Sequence, residues 1–437
     1  MNPPLHLLLS AAVGAAAQAG MVLLAPALAD ERVMPPAVVG GFVALAILAG
    51  LAWFAALGPL GRMAPRWPAV AAVAGFGLLA RLAWFGPEPV LDSDWLRYLW
   101  DGGLAAHGLW PWGAPPAGRD AAALGPAAEA LAGQLNFTTL RTIYPGTAQA
   151  AFLLAHGLAP WELAGLRLVM LAGEAGTVAL LVAVLRRLGL PTMRAAWWWT
   201  CPLLPVVLVG GAHVDALLPP LLLGALLAAL AGRGVVAGVL LGLAAGVKVW
   251  PVLLVPLLGR VLPRAALVPA AVGLGVTCFV VLAPLLATIA TLDAGLSAYA
   301  RGWIAGNAPF AWALALLGPS AEPALRMGLA LGGAGVALAV ALRRPATGTA
   351  TVARALVVAS SVFYLSPAQF PWYVVWFMPF ATLLGCRALM LPAVLLPVYW
   401  LSGPLRVAGH PEVFAHGVAA VPLLAVVAAL AFGRRRA

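Results

Sequence analysis

The stretch LDSDWLRYLWDGG, residues 91 to 103, holds three aspartates although only 9% of the chain is charged. A carboxylate accepts protons and binds cations, so a cluster of them marks a candidate site of chemistry. Four polar residues of the stretch have the i, i+3, i+4 and i+7 spacing of one helix face: Asp94, Arg97, Tyr98 and Asp101. The spacing therefore predicts a helix with one polar face.

The ends of this helix are also marked in the sequence. Ser93 or Asp92 can cap its N-terminus, and Gly102 and Gly103 can end it. We interpret the segment as an interfacial helix with its tryptophans among lipid headgroups and its polar face on a cavity. The simpler interpretation is a solvated helix in which aspartate and arginine pair three residues apart.

The letters DSD also match the D-x-D pattern that binds divalent metals, because two carboxylates supply hard oxygen ligands. The pattern is only three residues long, so we expect no metal cofactor, and an ion held by Asp92 and Asp94 is the alternative. Cys201, Cys278 and Cys386 lie in separate apolar segments without ligand-like spacing. They predict neither a disulfide framework nor a zinc site.

Lys248 is the only lysine among the 25 Lys and Arg residues of the chain. It lies within an apolar segment, where a cation is costly and is a candidate for binding an anionic group. The compact, hydrogen-bonding ammonium differs from the arginine used everywhere else, which favours a specific role. A lysine that snorkels from a short helix to the interface is the alternative.

The segment GGAHVDALLPP places His213 and Asp215 at the mouth of a helix. Histidine titrates near neutral pH and can act as a base or bind a substrate, especially beside a carboxylate. A structural histidine at the membrane interface is the simpler interpretation.

Further candidates for binding phosphate or sugar lie in three other segments. Arg141 and Tyr144 lie in LRTIYPG, and Arg301 lies in YARGWIAGN. Gln369 and Trp372 lie in SPAQFPWYVVWFMPF, whose aromatic residues are typical of a membrane-interface belt or of a wall that contacts sugar or lipid.

The composition indicates a helical membrane protein. Hydrophobic residues make up 63% of the 437 residues, and apolar runs of about 20 residues, the length that crosses a hydrocarbon core, recur along the chain. The 48 glycines and 38 prolines are tolerated inside a transmembrane bundle. We read the net charge of +11 as a signal of topology and expect no nucleic-acid partner.

The order of apolar runs and arginines predicts the topology. Thirteen long apolar runs, with shorter ones at 143 to 158 and 309 to 318, predict an all-α bundle of about 12 to 14 membrane segments. Arginine-rich loops mark the cytoplasmic side and place both termini there. These arginines are Arg62, Arg66, Arg186, Arg187, Arg194, Arg233, Arg260, Arg264, Arg343, Arg344, Arg354, Arg387 and Arg434 to Arg436.

Two apolar segments must not cross the membrane as single straight helices if all the arginine-rich loops are to lie on one side. Residues 143 to 158 dip into the bilayer, and residues 234 to 259 form a hairpin of two short helices with Lys248 near its apex. The outward side then carries this apex and residues 87 to 142, 210 to 215, 291 to 322, 366 to 372 and 403 to 412. Six of the 14 acidic residues fall in the segment 87 to 142. The predicted chemistry therefore lies on one aqueous face.

The motifs SDWLRYLWDG, GLWPWGAPP and LNFTTLRTIYPGTAQAAF resemble the first exoplasmic loop of GT-C superfamily glycosyltransferases. The particular likeness is to bacterial polyprenyl-phosphate-mannose-dependent mannosyltransferases, with weaker blocks around Lys248 and Trp372. It runs from about residue 68 to residue 385. Two departures from the family pattern are Trp110 and Trp112 in place of Asn and Tyr, and Gly146 in place of a second proline. Three regions follow: two extra helices in 1–67, a catalytic module in 68–290 with its loop 87–142, and C-terminal helices in 291–437.

The resemblance implies an inverting transfer of a sugar, with mannose favoured, on the outer face of the bacterial plasma membrane. The donor would be a polyprenyl-phosphate sugar that serves as co-substrate, and the acceptor a hydroxyl of a glycan or glycolipid. Asp94 matches the loop aspartate of the family and would be the general base. Lys248, with Arg301 or Arg141, would stabilise the phosphate that leaves.

Two other functions fit parts of the sequence. In a transporter or lipid-linked sugar flippase, Arg81, Arg167, Glu174 and Lys248 would line a translocation path. The seven-residue spacing of Arg167 and Glu174 alternatively indicates an internal polar contact. A catalytically inactive relative that supports envelope assembly is the third possibility, and Asp94 would then be replaceable.

Overall fold

The computed structural model describes residues 3–30 and 32–433, so the expectations for the terminal arginines 434 to 436 lie outside the described residues. The chain is all-α, with 76% of the residues helical. The first ten helices are α1 (Pro3–Leu24), α2 (Pro36–Arg62), α3 (Trp67–Leu82), α4 (Asp94–Ala106), α5 (Pro126–Ala132), α6 (Gly146–Leu158), α7 (Leu163–Arg187), α8 (Ala195–Trp199), α9 (Leu218–Leu230) and α10 (Gly234–Ala245). The remaining helices are α11 (Val255–Val261), α12 (Arg264–Leu286), α13 (Gly295–Gly302), α14 (Ala308–Leu317), α15 (Glu322–Ala341), α16 (Gly348–Leu365), α17 (Met378–Leu384), α18 (Leu391–Leu395), α19 (Ser402–Val407), α20 (Pro411–His416) and α21 (Val421–Gly433).

Membrane-spanning length is reached in many places along the chain. Within the described residues, 8 helical segments are long and apolar enough to cross a bilayer. They are Leu5–Leu28, Pro36–Arg62, Leu163–Arg187, Arg264–Leu286, Pro319–Ala341, Gly348–Leu365, Arg387–Val407 and Pro411–Phe432. Shorter apolar helices accompany them, and the expected polytopic helical bundle is confirmed.

Two apolar runs that the sequence suggested as membrane segments are broken helices. Residues 195 to 211 form α8 and then a π-helical turn, Pro205–Gly210, and residues 371 to 385 form a 3₁₀ turn, Pro371–Trp376, followed by α17. Pro205 begins the π-helical turn and Pro371 begins the 3₁₀ turn, because the missing N–H of proline costs nothing at a helix start. Both segments are buried, as irregular backbone at membrane depth must be.

The predicted hairpin around Lys248 is confirmed. Helix α10 ends at Ala245, and a 3₁₀ turn at Trp250–Leu254 leads into α11, so Lys248 lies between two short helices. Helix α10 packs closely on α12 through glycines: a β-carbon at Gly238 would lie 2.2 Å from the Ala270 carbonyl oxygen. Small residues at four-residue spacing allow this approach and hold the hairpin in place.

Helix α4 agrees with the prediction at its start and differs from it at its end. Ser93 holds the N-cap position, and Asp92 Oδ1, of the other expected cap residue, accepts a hydrogen bond from the Asp94 N–H at 3.4 Å. The helix continues past the two glycines to Ala106. A β-carbon at Gly102 would lie 2.4 Å from the Phe152 carbonyl oxygen, so these glycines serve close packing on α6 and not helix termination. The expectation that the tryptophans lie among headgroups is wrong for Trp100, which is fully buried.

Candidate active site

Strained backbone precedes two of the candidate residues. Leu91 and Ala212 have positive φ angles of 50° and 52°, and they directly precede Asp92 and the His213 loop residue. The π-helical turn Pro205–Gly210 lies just before Ala212. Left-handed conformations of non-glycine residues and π-helical turns are costly and concentrate at functional sites. Tertiary packing thus holds both segments in conformations that local preferences alone would not select.

The imidazole of His213 lies between two carboxylates. Its Nε2 atom is 3.3 Å from the Asp92 Oδ2 atom, and its Nδ1 atom is 4.0 Å from the Asp94 Oδ2 atom. The Asp94 side chain is 46% exposed, whereas the Asp92 side chain is only 11% exposed. Asp94 is therefore the more accessible carboxylate of this group.

An aromatic column fixes the orientation of His213. Its ring stacks on Trp372 with centroids 3.6 Å apart, and Trp372 stacks on Phe370 at 4.7 Å. Burial lowers the pKa of His213 well below its ordinary 6.5, and the positive charge of Lys248 lowers it further. The ring is therefore neutral at pH 7 and presents one N–H donor and one acceptor nitrogen.

Lys248 and Asp215 form the second charged group of the site. The Lys248 Nζ atom lies 3.3 Å from Oδ2 of the fully buried Asp215, and Trp376 Nε1 donates to Oδ1 of the same carboxylate at 2.8 Å. The ammonium also lies 5.0 Å from the centre of the Tyr373 ring. The Lys248 side chain is 21% exposed, so its ammonium is accessible from the site, whereas its partner Asp215 is buried.

Two phenols extend this group toward a membrane-facing groove. The hydroxyls of Tyr299 and Tyr373 lie 2.9 Å apart. Burial raises the pKa of Tyr299 well above its ordinary 10, so its hydroxyl stays protonated at neutral pH. Tyr299 also lines a groove of about 270 Å³ between α13, α15 and α16. The groove therefore lies beside the Tyr299 and Tyr373 hydroxyls.

A buried network anchors the polar face of α4. Arg97 Nε donates to Asp101 Oδ1 at 3.0 Å, and Gln149 Nε2 donates to Asp101 Oδ2 at 2.8 Å. Tyr98 packs edge-on against Tyr144 with centroids 5.0 Å apart. Asp101 is fully buried, so its role is to tie α4 to α6, and the helix carries Asp94 at its exposed N-terminus.

Three of the sequence candidates make their contacts elsewhere. Arg141 Nε donates to Asp293 Oδ1 at 2.8 Å, and its guanidinium also donates to the backbone carbonyls of residues 112 and 113. Arg301 has an exposed side chain on α13. The Gln369 side chain donates to backbone carbonyls at the end of α16. Trp112, one of the family departures, donates its Nε1 proton to the Tyr144 carbonyl oxygen at 3.1 Å and so helps to hold that segment.

Sequence reasoning missed several residues that complete the site. In the chain, Trp376 is 161 residues from Asp215 and Tyr299 is 74 residues from Tyr373, yet the fold joins them through the contacts given above. Gln149 belongs to the TAQ motif, but nothing in its local pattern indicates a bond to Asp101. The aromatic segment 370 to 377 offered the one usable signal, since its residues were already candidates for a contacting wall.

Three of the four charges expected on a translocation path, those of Arg81, Arg167 and Glu174, are held in buried contacts. Arg81 and Glu174 are both fully buried and form an ion pair, with Arg81 Nη2 at 2.6 Å from Glu174 Oε1. Arg167 donates to backbone carbonyls, including those of Phe85 and Gly210. The internal polar contact expected for Glu174 therefore exists, with Arg81 and not Arg167 as its partner.

The geometry of the DSD aspartates bears on metal binding. Across the described residues, no group of three or more His, Cys, Asp or Glu side chains is arranged to hold a metal ion. One ring nitrogen of His213 faces each carboxylate, so the imidazole lies between Asp92 and Asp94. The three side chains do not converge on one point.

A helical membrane bundle that carries an accessible carboxylate and a partly exposed ammonium fits an integral-membrane glycosyltransferase. Residues 5–267 match the family model described as alpha-(1->6)-mannopyranosyltransferase, N-terminal domain, and the chain therefore belongs to this mannosyltransferase family. The resemblance seen in the sequence motifs is confirmed at this level. Neither curated proteins nor solved structures gave a match.

Proposed function

We propose that the protein transfers mannose from a polyprenyl-phosphate donor to a hydroxyl acceptor, with inversion at the sugar and Asp94 as general base. The observation that carries the proposal is the placement of Asp94. Its carboxylate is 46% exposed at the N-terminus of a helix whose remaining polar face is buried, and its charge interacts with that of Lys248. The family membership supports the choice of mannose.

The chemistry assigns one task to each charged group. The acceptor oxygen attacks the anomeric carbon as the bond from that carbon to the phosphate oxygen breaks, and Asp94 takes the hydroxyl proton. The polyprenyl phosphate leaves with the bonding electron pair, so negative charge grows on its oxygen. Lys248 stabilises that charge, and Asp215 and Trp376 hold the ammonium in position.

The surroundings suit a donor that is part lipid and part sugar. The groove beside Tyr299 is lined largely by apolar side chains of α15 and α16 and would accept the prenyl chain near its phosphate. We place this site on the outer side of the plasma membrane, because the arginine-rich loops lie at the other ends of the helices.

The direct test is mannose transfer by the purified chain in proteoliposomes, with radiolabelled polyprenyl-phosphate mannose and an extract of cell-envelope glycolipids as acceptor. Asp94→Asn keeps the shape of the side chain and removes its basicity, so we expect transfer to fall about 10²- to 10⁴-fold. Glu129→Gln is the matched control, because it removes an exposed carboxylate of the same loop. Transfer by Asp94→Asn at the rate of the unaltered protein would remove Asp94 from the base role.

Two other outcomes would contradict parts of this proposal. If the unaltered protein moves the labelled lipid across the bilayer and makes no glycosidic bond, the transferase proposal fails in favour of a flippase. Activity that survives a chelator supports a reaction without an essential metal at Asp92 and Asp94, and its loss would contradict that expectation.

A further inference from the structure

A cavity outside the candidate active site lies among α1, α2, α3 and the segment after α8. Its volume is about 820 Å³, and its walls are mostly apolar side chains, among them Ala11, Ala56 and Ala72. It opens toward the outside of the bundle, where Leu8 and Ala72 are exposed. An apolar groove on this face of a membrane protein is in contact with lipid chains and not with water.

The groove ends at the side of the bundle opposite to the active site. The Leu28 carbonyl oxygen accepts a hydrogen bond from the Leu91 N–H at 2.9 Å, which places the turn between α1 and α2 beside Asp92. Helix α2 starts after this turn and has 27 residues, a length of about 40 Å. Its last residue, Arg62, lines the groove and is therefore at the other membrane surface.

Arg62 is the only charged residue that lines this groove within the described chain, and a second arginine lies next to it. A β-carbon built at Gly58 would lie 3.4 Å from Arg62 Nη2 and 3.8 Å from Arg387 Nη1, so the two guanidinium groups flank one point. Arg387 is further fixed over the Phe54 ring, at 5.0 Å from its centre. Both side chains are exposed at this surface.

Among the described residues, the segments around these two positive charges carry no acidic side chain. The segments that meet there, residues 62 to 66, 192 to 194 and 385 to 387, contain four arginines and no acidic residue. Two like charges at close range repel each other unless a counter-ion lies between them. The surface of a bilayer offers such a counter-ion in the phosphate of an anionic lipid, and arginine pairs bind phosphate with charge-assisted hydrogen bonds.

We propose that this groove binds one anionic phospholipid, with its phosphate between Arg62 and Arg387 and an acyl chain along α1, α2 and α3. The exposed indole of Trp67, at the start of α3, lies at the same membrane surface, where tryptophan is typical. The lipid fastens the N-terminal helix pair to α3 and to the C-terminal segment that carries Arg387. This site is independent of the sugar-transfer proposal, because it lies at the opposite surface.

The test uses the full chain, purified in a neutral maltoside detergent, with phosphatidylglycerol and phosphatidylcholine as probes. We expect native mass spectrometry to show a retained anionic phospholipid, and phosphatidylglycerol to raise the melting temperature more than phosphatidylcholine does. The double variant Arg62→Gln/Arg387→Gln should bind phosphatidylglycerol at least about tenfold more weakly, because it loses two charge-assisted contacts. Arg344→Gln, an exposed arginine of the loop between α15 and α16, is the control and should bind as the unaltered chain does.

A second variant separates the acyl-chain site from the charges. Ala72→Trp fills the groove from an exposed position of α3 and should also reduce phosphatidylglycerol binding, with both arginines intact. Equal effects of the two phospholipids, unchanged binding by the double variant, or retention of polyprenyl phosphate or detergent alone would each overturn the proposal. Sugar transfer is not a readout in this experiment, so its outcome does not depend on the proposed activity.

Discussion

Replacement of Lys248 tests whether its ion pair with Asp215 stabilises the fold, assists sugar transfer, or does both. Asp215 is fully buried, forms an ion pair with the Lys248 ammonium and accepts a hydrogen bond from Trp376. Lys248→Met removes one partner and leaves a buried carboxylate with a single donor. Breaking a buried ion pair in this way costs about 3–5 kcal/mol of stability. We expect a correspondingly lower melting temperature and a loss of sugar transfer.

The double variant Lys248→Met/Asp215→Asn tests which loss matters for transfer. The asparagine keeps an oxygen that accepts from Trp376, so the double variant has no uncompensated buried charge. We expect most of the stability to return, while transfer stays about 10²- to 10³-fold lower, because the cation that stabilises the leaving phosphate is still absent.

Thermal unfolding in detergent and initial rates with polyprenyl-phosphate mannose measure the two quantities on the same preparations. Asp215→Asn alone completes the cycle and gives the coupling between the two side chains. A double variant that recovers transfer together with stability would refute a role for Lys248 at the phosphate. The pair would then serve only to hold the hairpin between α10 and α11 against the 371–376 turn.

Three further predictions test the packing, the protonation and the topology. Gly102→Ala should lower the free energy of unfolding by about 1–3 kcal/mol, because the added β-carbon meets a backbone carbonyl of α6. Gly157→Ala is the control: open space surrounds this position, so the variant should be neutral in the same thermal unfolding assay. Burial lowers the pKa of His213, so below about pH 6.5 the unfolded chain binds more protons than the folded chain. The free energy of unfolding should therefore decrease as the pH is lowered below this value, by up to about 1.4 kcal/mol per pH unit. His213→Gln should flatten this pH dependence, and an identical slope in the variant would contradict the neutral ring. Single cysteines introduced at Asp120 and at Arg344 should be labelled by an impermeant reagent from opposite sides of a sealed vesicle, and labelling from one side would contradict the proposed orientation.

The comparison of sequence and structure is clearest at α4. The i, i+3, i+4 and i+7 spacing predicted a helix there with one polar face, and the helix exists. Its glycines were taken as a stop signal, yet they are helical because α6 approaches too closely for a side chain. Local propensity does not contain the distance to a neighbouring helix, so this error could not be removed from the sequence.

The ion pairs show the same limit. Arg167 and Glu174 share a helix face, which made their contact plausible, but Arg81 on α3 lies closer to the Glu174 carboxylate. In the same way, Lys248 was singled out as the only lysine, whereas Trp376, which helps to hold its Asp215 partner, is 161 residues from that aspartate. Long-range partners are set by how helices pack, and many packings satisfy the same hydropathy pattern.

The sequence by itself determined the helical membrane class, the break in the chain at Lys248 and the concentration of acidic residues in one loop, because each follows from composition and local spacing. Only the tertiary structure decided which of the three clustered aspartates is accessible. It buries Asp101 in a network with α6, turns Asp92 toward His213 and leaves Asp94 partly exposed at the start of α4. Exposure and charge pairing depend on elements distant in the chain, and these are properties of the packed bundle alone.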